Sequence, residues 1–390
     1  MKSGWEHKPL ESIAALVMGQ APASKDCNKD GIGTPFVKAG EFGKFRPIIR
    51  EWTTDPKKIA KSTDVLICVV GATCGKLNLG ADCAIGRSAA AIRPSPDKLD
   101  QFYLHYFMQQ KVLELRKGSE GAAQTVISKK MLNPMLIPLP PLEEQKRIVA
   151  ILDEAFEGLD RARAHTEANL QNAKELFESY STDKLKAGNQ NSNINDVADV
   201  QSGFAFKSRG YVNDEDGIRL VRGDNIIQGK FRWEKVKKWP LAEFDDFERY
   251  KLQINDVLLA MDRTWVKAGI KYTIVGEDDV PSLLVQRVAR LRAKANITYD
   301  YLSHLIGSKY FEEYVLSIQT GLGVPHISGQ QIKDFSFFLP ELKIQERVAS
   351  DLTAFRNSSI KMQKAYLSKL KNLEGLRQSL LQKAFAGELS

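Results

Sequence analysis

The side chains of this sequence that could do chemistry are cations, amides and thiols, and their spacing argues for holding a partner rather than transforming one. Gly71-Ala72-Thr73-Cys74-Gly75-Lys76-Leu77 briefly looks like a phosphate loop. Its glycines sit one residue too close, and Leu77 stands where a Ser or Thr would meet Mg²⁺. The histidines His7, His105, His165, His304 and His326 form no H-E-x-x-H pair. The cysteines Cys27, Cys68, Cys74 and Cys83 form no C-x-x-C pair and have no counterparts later in the chain. They are expected to be free structural thiols, with no metal site. Asn133-Pro134-Met135-Leu136 is not the Asn/Asp-Pro-Pro-aromatic tetrapeptide of amino methylation, and no G-x-G-x-x-G follows a strand. The chain is expected to be a binding module, without catalytic residues.

What the chain offers a partner is positive charge, unevenly placed. Its net charge is +8 over 390 residues. Residues 1–140 carry a net +7, 141–194 a net −3, 195–340 none and 341–390 a net +4. The first segment reads as a polyanion binder. Any basic face in residues 195–340 must be local. With 43% hydrophobic and 27% charged residues, composition is that of an ordinary folded protein. No run of 18 apolar residues is present, so no membrane partner is expected. The N-terminus lacks the apolar stretch of a signal peptide, so the expected location is cytoplasmic.

The elements that must position these groups occur twice. Leu139-Pro140-Pro141-Leu142-Glu143-Glu144-Gln145-Lys146-Arg147-Ile148 matches Leu339-Pro340-Glu341-Leu342-Lys343-Ile344-Gln345-Glu346-Arg347-Val348 without a gap. Upstream, Leu10, Ile13 and Ala14 match Ile194, Val197 and Ala198, and Gly19 matches Gly203. Phe36-Val37-Lys38 matches Leu220-Val221-Arg222, and Asp64-Val65-Leu66 matches Asp256-Val257-Leu258. Arg87 is paired with Arg287, Tyr103-Leu104 with Tyr301-Leu302, and Ile127-Ser128 with Ile327-Ser328. Val65–Val70 and Asp256–Met261 read as strands. Leu99–Lys117 and Thr298–Ile318 read as helical, and Gly31-Ile32-Gly33, Asp216-Gly217 and Gly321-Leu322-Gly323 as turns. The repeat predicts two similar globules of mixed α and β structure.

Each globule precedes a proline-free helical stretch, about Glu143–Lys184 and Ile344–Phe385, each roughly 60 Å long at 1.5 Å per residue. Heptads run through Ile148, Ala155, Ala162, Asn169 and Leu176, and through Leu152, Leu159, Thr166, Ala173 and Tyr180. The second stretch repeats them as Val348, Phe355, Met362, Lys369 and Leu376, and as Leu352, Ser359, Tyr366, Leu373 and Leu380. Asn169 and Lys369 are expected as polar seam residues that fix register. Small Ala155, Ala162 and Ala173 are expected to face bulky Phe355, Met362 and Tyr366. The second helix must return towards the first globule, which predicts an antiparallel coiled coil and approximate two-fold symmetry. The α+β fold expected is therefore globule 1–142, long helix 143–190, globule 191–340 and long helix 341–390.

At the paired Pro-Leu-Pro-Pro-Leu-Glu-Glu-Gln-Lys-Arg-Ile (138–148) and Leu-Pro-Glu-Leu-Lys-Ile-Gln-Glu-Arg-Val (339–348) segments the chain resembles the specificity subunit of type I restriction–modification systems. Gln201-Ser202-Gly203-Phe204-Ala205-Phe206-Lys207-Ser208, Val324-Pro325-His326-Ile327-Ser328 and Leu380–Leu389 add to the resemblance, which spans nearly the whole chain. It implies two target recognition domains, each reading half of a bipartite site in double-stranded DNA, and paired helices that set the spacer. It implies two docked modification subunits that methylate adenine with S-adenosylmethionine, joined by restriction/translocase subunits using ATP and Mg²⁺. Those cofactors belong to the partners, and none is expected in this chain. Glu341 in place of Pro141, and Met18-Gly19-Gln20-Ala21-Pro22 in place of Ser202-Gly203-Phe204-Ala205-Phe206, depart from one repeat to the other. The rival reading is a coiled-coil scaffold whose globules bind proteins.

Under this resemblance the candidate DNA-binding residues divide by chemistry. The matched cations Lys38 and Arg222, and Arg87 and Arg287, suit phosphates or surface ion pairs, as do Lys76, Lys129, Lys130, Lys207, Arg263 and Lys267 in loop-like stretches. Gln124, Thr125, Ser128, Gln319, Thr320, His326 and Ser328 suit base edges or turn caps. Asp262-Arg263-Thr264-Trp265 mixes an acceptor, donors and an aromatic, with Trp265 better suited to the core. Gln145, Arg147, Gln345 and Arg347 stand at the helix starts, to orient the globules or dock modification subunits.

Overall fold

A computed structural model describes residues 5–118, 126–213, 215–320 and 325–389. The chain forms two compact units, Met1–Glu167 with Ser368–Ser390, and Ala168–Leu367. The helices Leu142–Lys186 and Leu342–Phe385 each contribute to both units.

In the first unit, Val65–Cys68 is the centre of an antiparallel sheet ordered Ala14–Met18, Ala89–Pro94, Val65–Cys68, Leu77–Leu79. Its run Val-Leu-Ile-Cys is apolar throughout because both faces are covered. Val65, Ile67 and Val69 pack with Tyr103, Leu104 and Phe107 of the helix Gln101–Lys117. Leu66 and Cys68 face a second core with Val37, Cys83 and Ile85. That core belongs to a smaller sheet in which Thr34–Val37 runs parallel to Cys83–Ile85. The four thiols are unpaired; Cys68, Cys74 and Cys83 are buried.

The second unit repeats this plan. Ala198–Ser202, Val288–Ala293, Val257–Ala260 and Tyr272–Ile274 form the larger sheet, and Ile218–Val221 runs parallel to Ser282–Leu284 in the smaller one. Val257 and Leu259 pack with Tyr301, Leu302 and Leu305, while Leu258 faces Val221 and Leu284. Gly19 and Gly203 are equivalent. A Cβ there would lie 2.1 Å from Gly86 O or 2.2 Å from Val285 O, so the close backbone approach admits only glycine.

Three expectations are corrected. The stretch Thr298–Ile318 is two helices, Tyr299–Ile306 and Lys309–Ile318. Gly307 lies against the Tyr272 ring, where a Cβ would come within 2.1 Å, and Ser308 caps the second helix by accepting from Phe311 N at 3.1 Å. The pairing of Arg87 with Arg287 is one residue out. Met261 N donates to Arg287 O as Val69 N donates to Ser88 O, so Ser88 matches Arg287 and Arg87 matches Gln286.

The third correction concerns the helix seam. Leu152, Thr166 and Ala173 are buried as expected, but Asn169, Leu176, Met362, Lys369 and Leu376 are exposed. The less exposed positions are one residue later: Leu170, Phe177, Gln363, Leu370 and Arg377. A helix near 3.6 residues per turn drifts about 20° per heptad, so a strict seven-residue line leaves the seam after three repeats. Met362 is therefore not a seam residue of its helix, and Asn169 and Lys369 do not set register from within the seam.

In the first unit Arg377 pairs with Asp160 at 3.6 Å and Arg147 donates to Leu389 O at 2.9 Å, so its helix segments run antiparallel. Phe385 closes that unit, its ring 5.1 Å from Tyr103 and 5.3 Å from Phe107. In the second unit Ser359 donates to Ala173 O at 3.0 Å and Phe355 meets Tyr180 at 5.0 Å, the same antiparallel sense.

Candidate nucleic-acid interface

Two internal locks, each present twice, hold the loops of the units in place. Gln145 and Gln345 are wholly buried at 0% exposure. Gln145 accepts from Asp100 N at 2.8 Å and donates to Lys98 O and Pro140 O, both at 2.8 Å. Gln345 accepts from Thr298 N at 2.9 Å and donates to Asn296 O at 3.0 Å and Pro340 O at 2.8 Å. An amide with one acceptor and two used donors satisfies three backbone groups at once. Both glutamines thus orient the globule on its helix, and burial takes them out of any docking surface. Arg147 is engaged by Glu144 at 2.7 Å and by Leu389 O, while Arg347 is exposed.

The second lock was not singled out in the sequence. Arg93 makes a bidentate pair with buried Asp64 at 2.8 and 2.9 Å, and Arg292 with buried Asp256 at 2.7 and 2.8 Å. Each aspartate also accepts a backbone N–H three residues earlier, Lys61 or Gln253, at 2.8 Å. The signal was the match of Ala91-Ile92-Arg93 to Arg290-Leu291-Arg292, hidden by the misplaced Arg87–Arg287 pairing.

Around these locks the candidate residues take different places. In the first unit Lys38 is bound to Glu51, whose carboxylate raises its pKa, and it heads the turn Ala39–Glu41. Lys76 donates to Phe42 O at 2.5 Å, and Arg87, Lys129 and Lys130 are exposed. Ser128 precedes the turn Lys129–Leu132. Gln124 and Thr125 lie outside the described residues, as does Gly321-Leu322-Gly323.

The second unit gathers more of its candidates. Arg222, which heads the turn Gly223–Asn225 as Lys38 does its own, lines a cavity of about 290 Å³ with Asp262, Arg263, Lys271, Gln286 and Arg287. Arg263 and Arg287 have φ of +45° and +67°, a region non-glycine residues rarely occupy. Their backbones are pinned, Arg263 N donating to Pro325 O at 2.6 Å and Arg287 O accepting from Met261 N at 2.9 Å. Asp262 lies 3.7 Å from Arg287 Nε. Burial lowers the pKa of Lys271. Sequence reasoning missed Lys271, which reaches the cavity through strand pairing, its carbonyl accepting from Ala260 N at 3.0 Å, and Gln286, the chain neighbour of Arg287.

His326 pairs its backbone with Thr320 in both directions, at 2.8 and 3.1 Å, and also bridges to Asp262, which sets this pair beside the arginines. Ser328 is a helix cap, its Oγ accepting from Gln331 N at 3.1 Å and its N–H donating to Gln331 Oε1 at 2.8 Å, and Gln319 ends the helix Lys309–Ile318. Lys207 and Lys267 stand exposed on separate turns. Trp265 packs against the core, as expected. Among the described residues no helix is long and apolar enough to cross a membrane.

Residues 2–170 and 186–372 match the family described as the type I restriction modification DNA specificity domain. The specificity subunit of the type I restriction enzyme MjaVIII of Methanocaldococcus jannaschii is 27% identical over 374 residues, covering 90% of this chain and 86% of that protein. The EcoAI specificity subunit of Escherichia coli is 35% identical over 162 residues, 41% of this chain and 27% of that protein. Two solved structures share the fold at 17% identity. A chain from a study of complex assembly and conformational transition in a type I R-M system has a TM-score of 0.83 and covers 100% of this chain and 99% of that one. The HsdS subunit of Thermoanaerobacter tengcongensis has a TM-score of 0.64 and covers 100% and 98%. With both halves of the sequence matched, the chain belongs to the family of type I restriction–modification specificity subunits.

Proposed function

We propose that each unit of this chain reads one half of a bipartite DNA site and that the long helices set the unspecified spacer between the halves. The observation that carries this reading is duplication with divergence. Sheet order, the Gln145 and Gln345 locks and the Asp64–Arg93 and Asp256–Arg292 pairs recur, while loop side chains at equivalent corners differ. Two like frames with unlike loops suit two different half-sites, because phosphate contacts position a protein and base contacts give it sequence. A helical spacer fixes base-pair separation in a way a flexible linker does not.

In this reading two modification subunits dock on the chain and methylate adenine with S-adenosylmethionine. Restriction/translocase subunits using ATP and Mg²⁺ join them, and the assembly works in the cytoplasm. The chain itself supplies recognition and no catalytic group. The test is to replace residues 1–140 with the matching unit of another specificity subunit and map methylated adenines in a host carrying the partner genes. One half of the methylated motif is expected to change while the other stays. Two unchanged halves would refute the proposal.

A further inference from the structure

The two units share one pair of equivalent cations and differ around the cavity that the second of them lines. Lys38 and Arg222 are equivalent cations at the head of equivalent turns. Around the cavity the equivalence ends. Bridging places Val70 against Val126 as it places Asp262 against His326, so Val70 stands for Asp262 and Gly71 for Arg263. Ser88 stands for Arg287, on the shared backbone hydrogen bonds. Gly71 is left-handed at φ +87°, so this corner of the fold favours glycine, and the second unit carries an arginine there instead. Arg287 likewise holds a strained backbone where the first unit has serine.

The chemistry of the corner fits a base edge better than a phosphate. Asp262 lies 3.7 Å from Arg287 Nε and Asp224 lies 3.5 Å from Arg222, so carboxylates temper the positive charge of this corner. At 3.7 Å the Asp262 carboxylate is an ion-pair neighbour that biases the Arg287 guanidinium without occupying its outer N–H groups, which are left for another acceptor pair. About half of the Arg287 side chain is exposed. The base edge matching a planar two-donor fork is that of guanine, with O6 and N7 side by side in the major groove.

On this footing, and resting on the proposed reading of half-sites, we propose that Arg287, oriented by Asp262, reads a guanine in the half-site of the second unit. The first unit, with Ser88 and Val70 at these places, reads its half-site without this contact.

The test uses the chain assembled with its modification subunits and duplexes carrying the methylated motif. Each guanine of the second half-site is replaced in turn by 7-deazaguanine, which lacks the N7 acceptor. One replacement is expected to weaken binding about 10-fold or more, as loss of one hydrogen bond from a charged donor does while O6 stays in place. The same replacements in the first half-site, outside any contact of its own loops, report on that unit independently. In the Arg287→Gly variant, which suits the left-handed backbone, the sensitive position should accept all four bases while the first half-site stays specific. Arg287→Lys should lose discrimination at that position despite keeping its charge, and Asp262→Asn should weaken it. A second half-site that holds no guanine, or one where no 7-deazaguanine matters, overturns the inference. So does an Arg287→Gly loss that is equal for every sequence with a shallower salt dependence, the mark of a phosphate contact. None of these results touches the half-site reading, which fails only if exchange of residues 1–140 leaves both halves of the motif unchanged.

Discussion

Replacing Gln345 with leucine tests how a unit is fixed to its helix. Leucine keeps most of the volume and removes all three hydrogen bonds, to Thr298 N, Asn296 O and Pro340 O. At about 1 kcal/mol net for each bond the loss is about 3 kcal/mol, more if the three backbone groups stay dry. Gln345 has 0% exposure, so water does not reach these groups without local rearrangement. The destabilisation falls on the unit Ala168–Leu367, because every partner of Gln345 lies there. Amide hydrogen exchange read peptide by peptide separates the two units. Exchange from the sheet Val257–Ala260 and the helix Tyr299–Ile306 should accelerate about 150-fold, the equivalent of 3 kcal/mol. Exchange from Val65–Cys68 should stay as in the parent chain, and Gln145→Leu should give the reverse pattern. Acceleration below about fivefold, or equal acceleration in both units, would refute the reasoning, since either means that the amide is not what holds unit to helix.

Two further outcomes follow from the seam and from a buried imidazole. Lys369→Leu should change stability in urea by less than about 0.5 kcal/mol, while Leu370→Lys should cost about 1 kcal/mol or more, because the less exposed line runs through residue 370; equal effects would restore the strict heptad. Burial, then the Arg377 charge, lowers the pKa of His105 from 6.5 to about 4, so on acidification the unfolded chain takes up this proton first. Stability should be full above pH 6.5 and fall by about 3 kcal/mol between there and pH 4, and a His105→Gln variant whose acid slope matched that of the parent would sink the assignment.

The frame was legible in the sequence because it is built from local patterns said twice. Apolar runs at Val65 and Val257, the Gly19 and Gly203 corners and the Pro-x-x-x-x-Gln starts at 140 and 340 each depend on a few neighbouring residues. What failed to show depended on register between distant strands. The Arg87–Arg287 pairing matched identical letters, but the ladder of Val65–Cys68 against Ala89–Pro94 sets Ser88 opposite the place of Arg287. The break at Gly307 carries a local signal that the helical reading passes over, since Gly307 ends one helix and Ser308 caps the next, and the Tyr272 ring explains why position 307 admits only glycine. The drift of the seam is helical geometry that a seven-residue template ignores.

The cavity of Arg222, Arg263 and Arg287 was only partly legible for the same reason. The three arginines could be named as cations, but Lys271 joins them through strand pairing, and the left-handed backbones of Arg263 and Arg287 carry no sequence signature. That division has a physical sense. Residues that hold the fold are tied to buried partners, and a change at Gln145, Asp64, Gln345 or Asp256 leaves polar groups stranded in the interior. Residues at the loop corners rest on backbone hydrogen bonds whose donors and acceptors do not depend on the side chain. Val69 N and Met261 N find the same carbonyl whether serine or arginine carries it. A frame that fixes the corner through its backbone leaves the side chain there free to differ, and so permits one architecture to present different groups to different sequences.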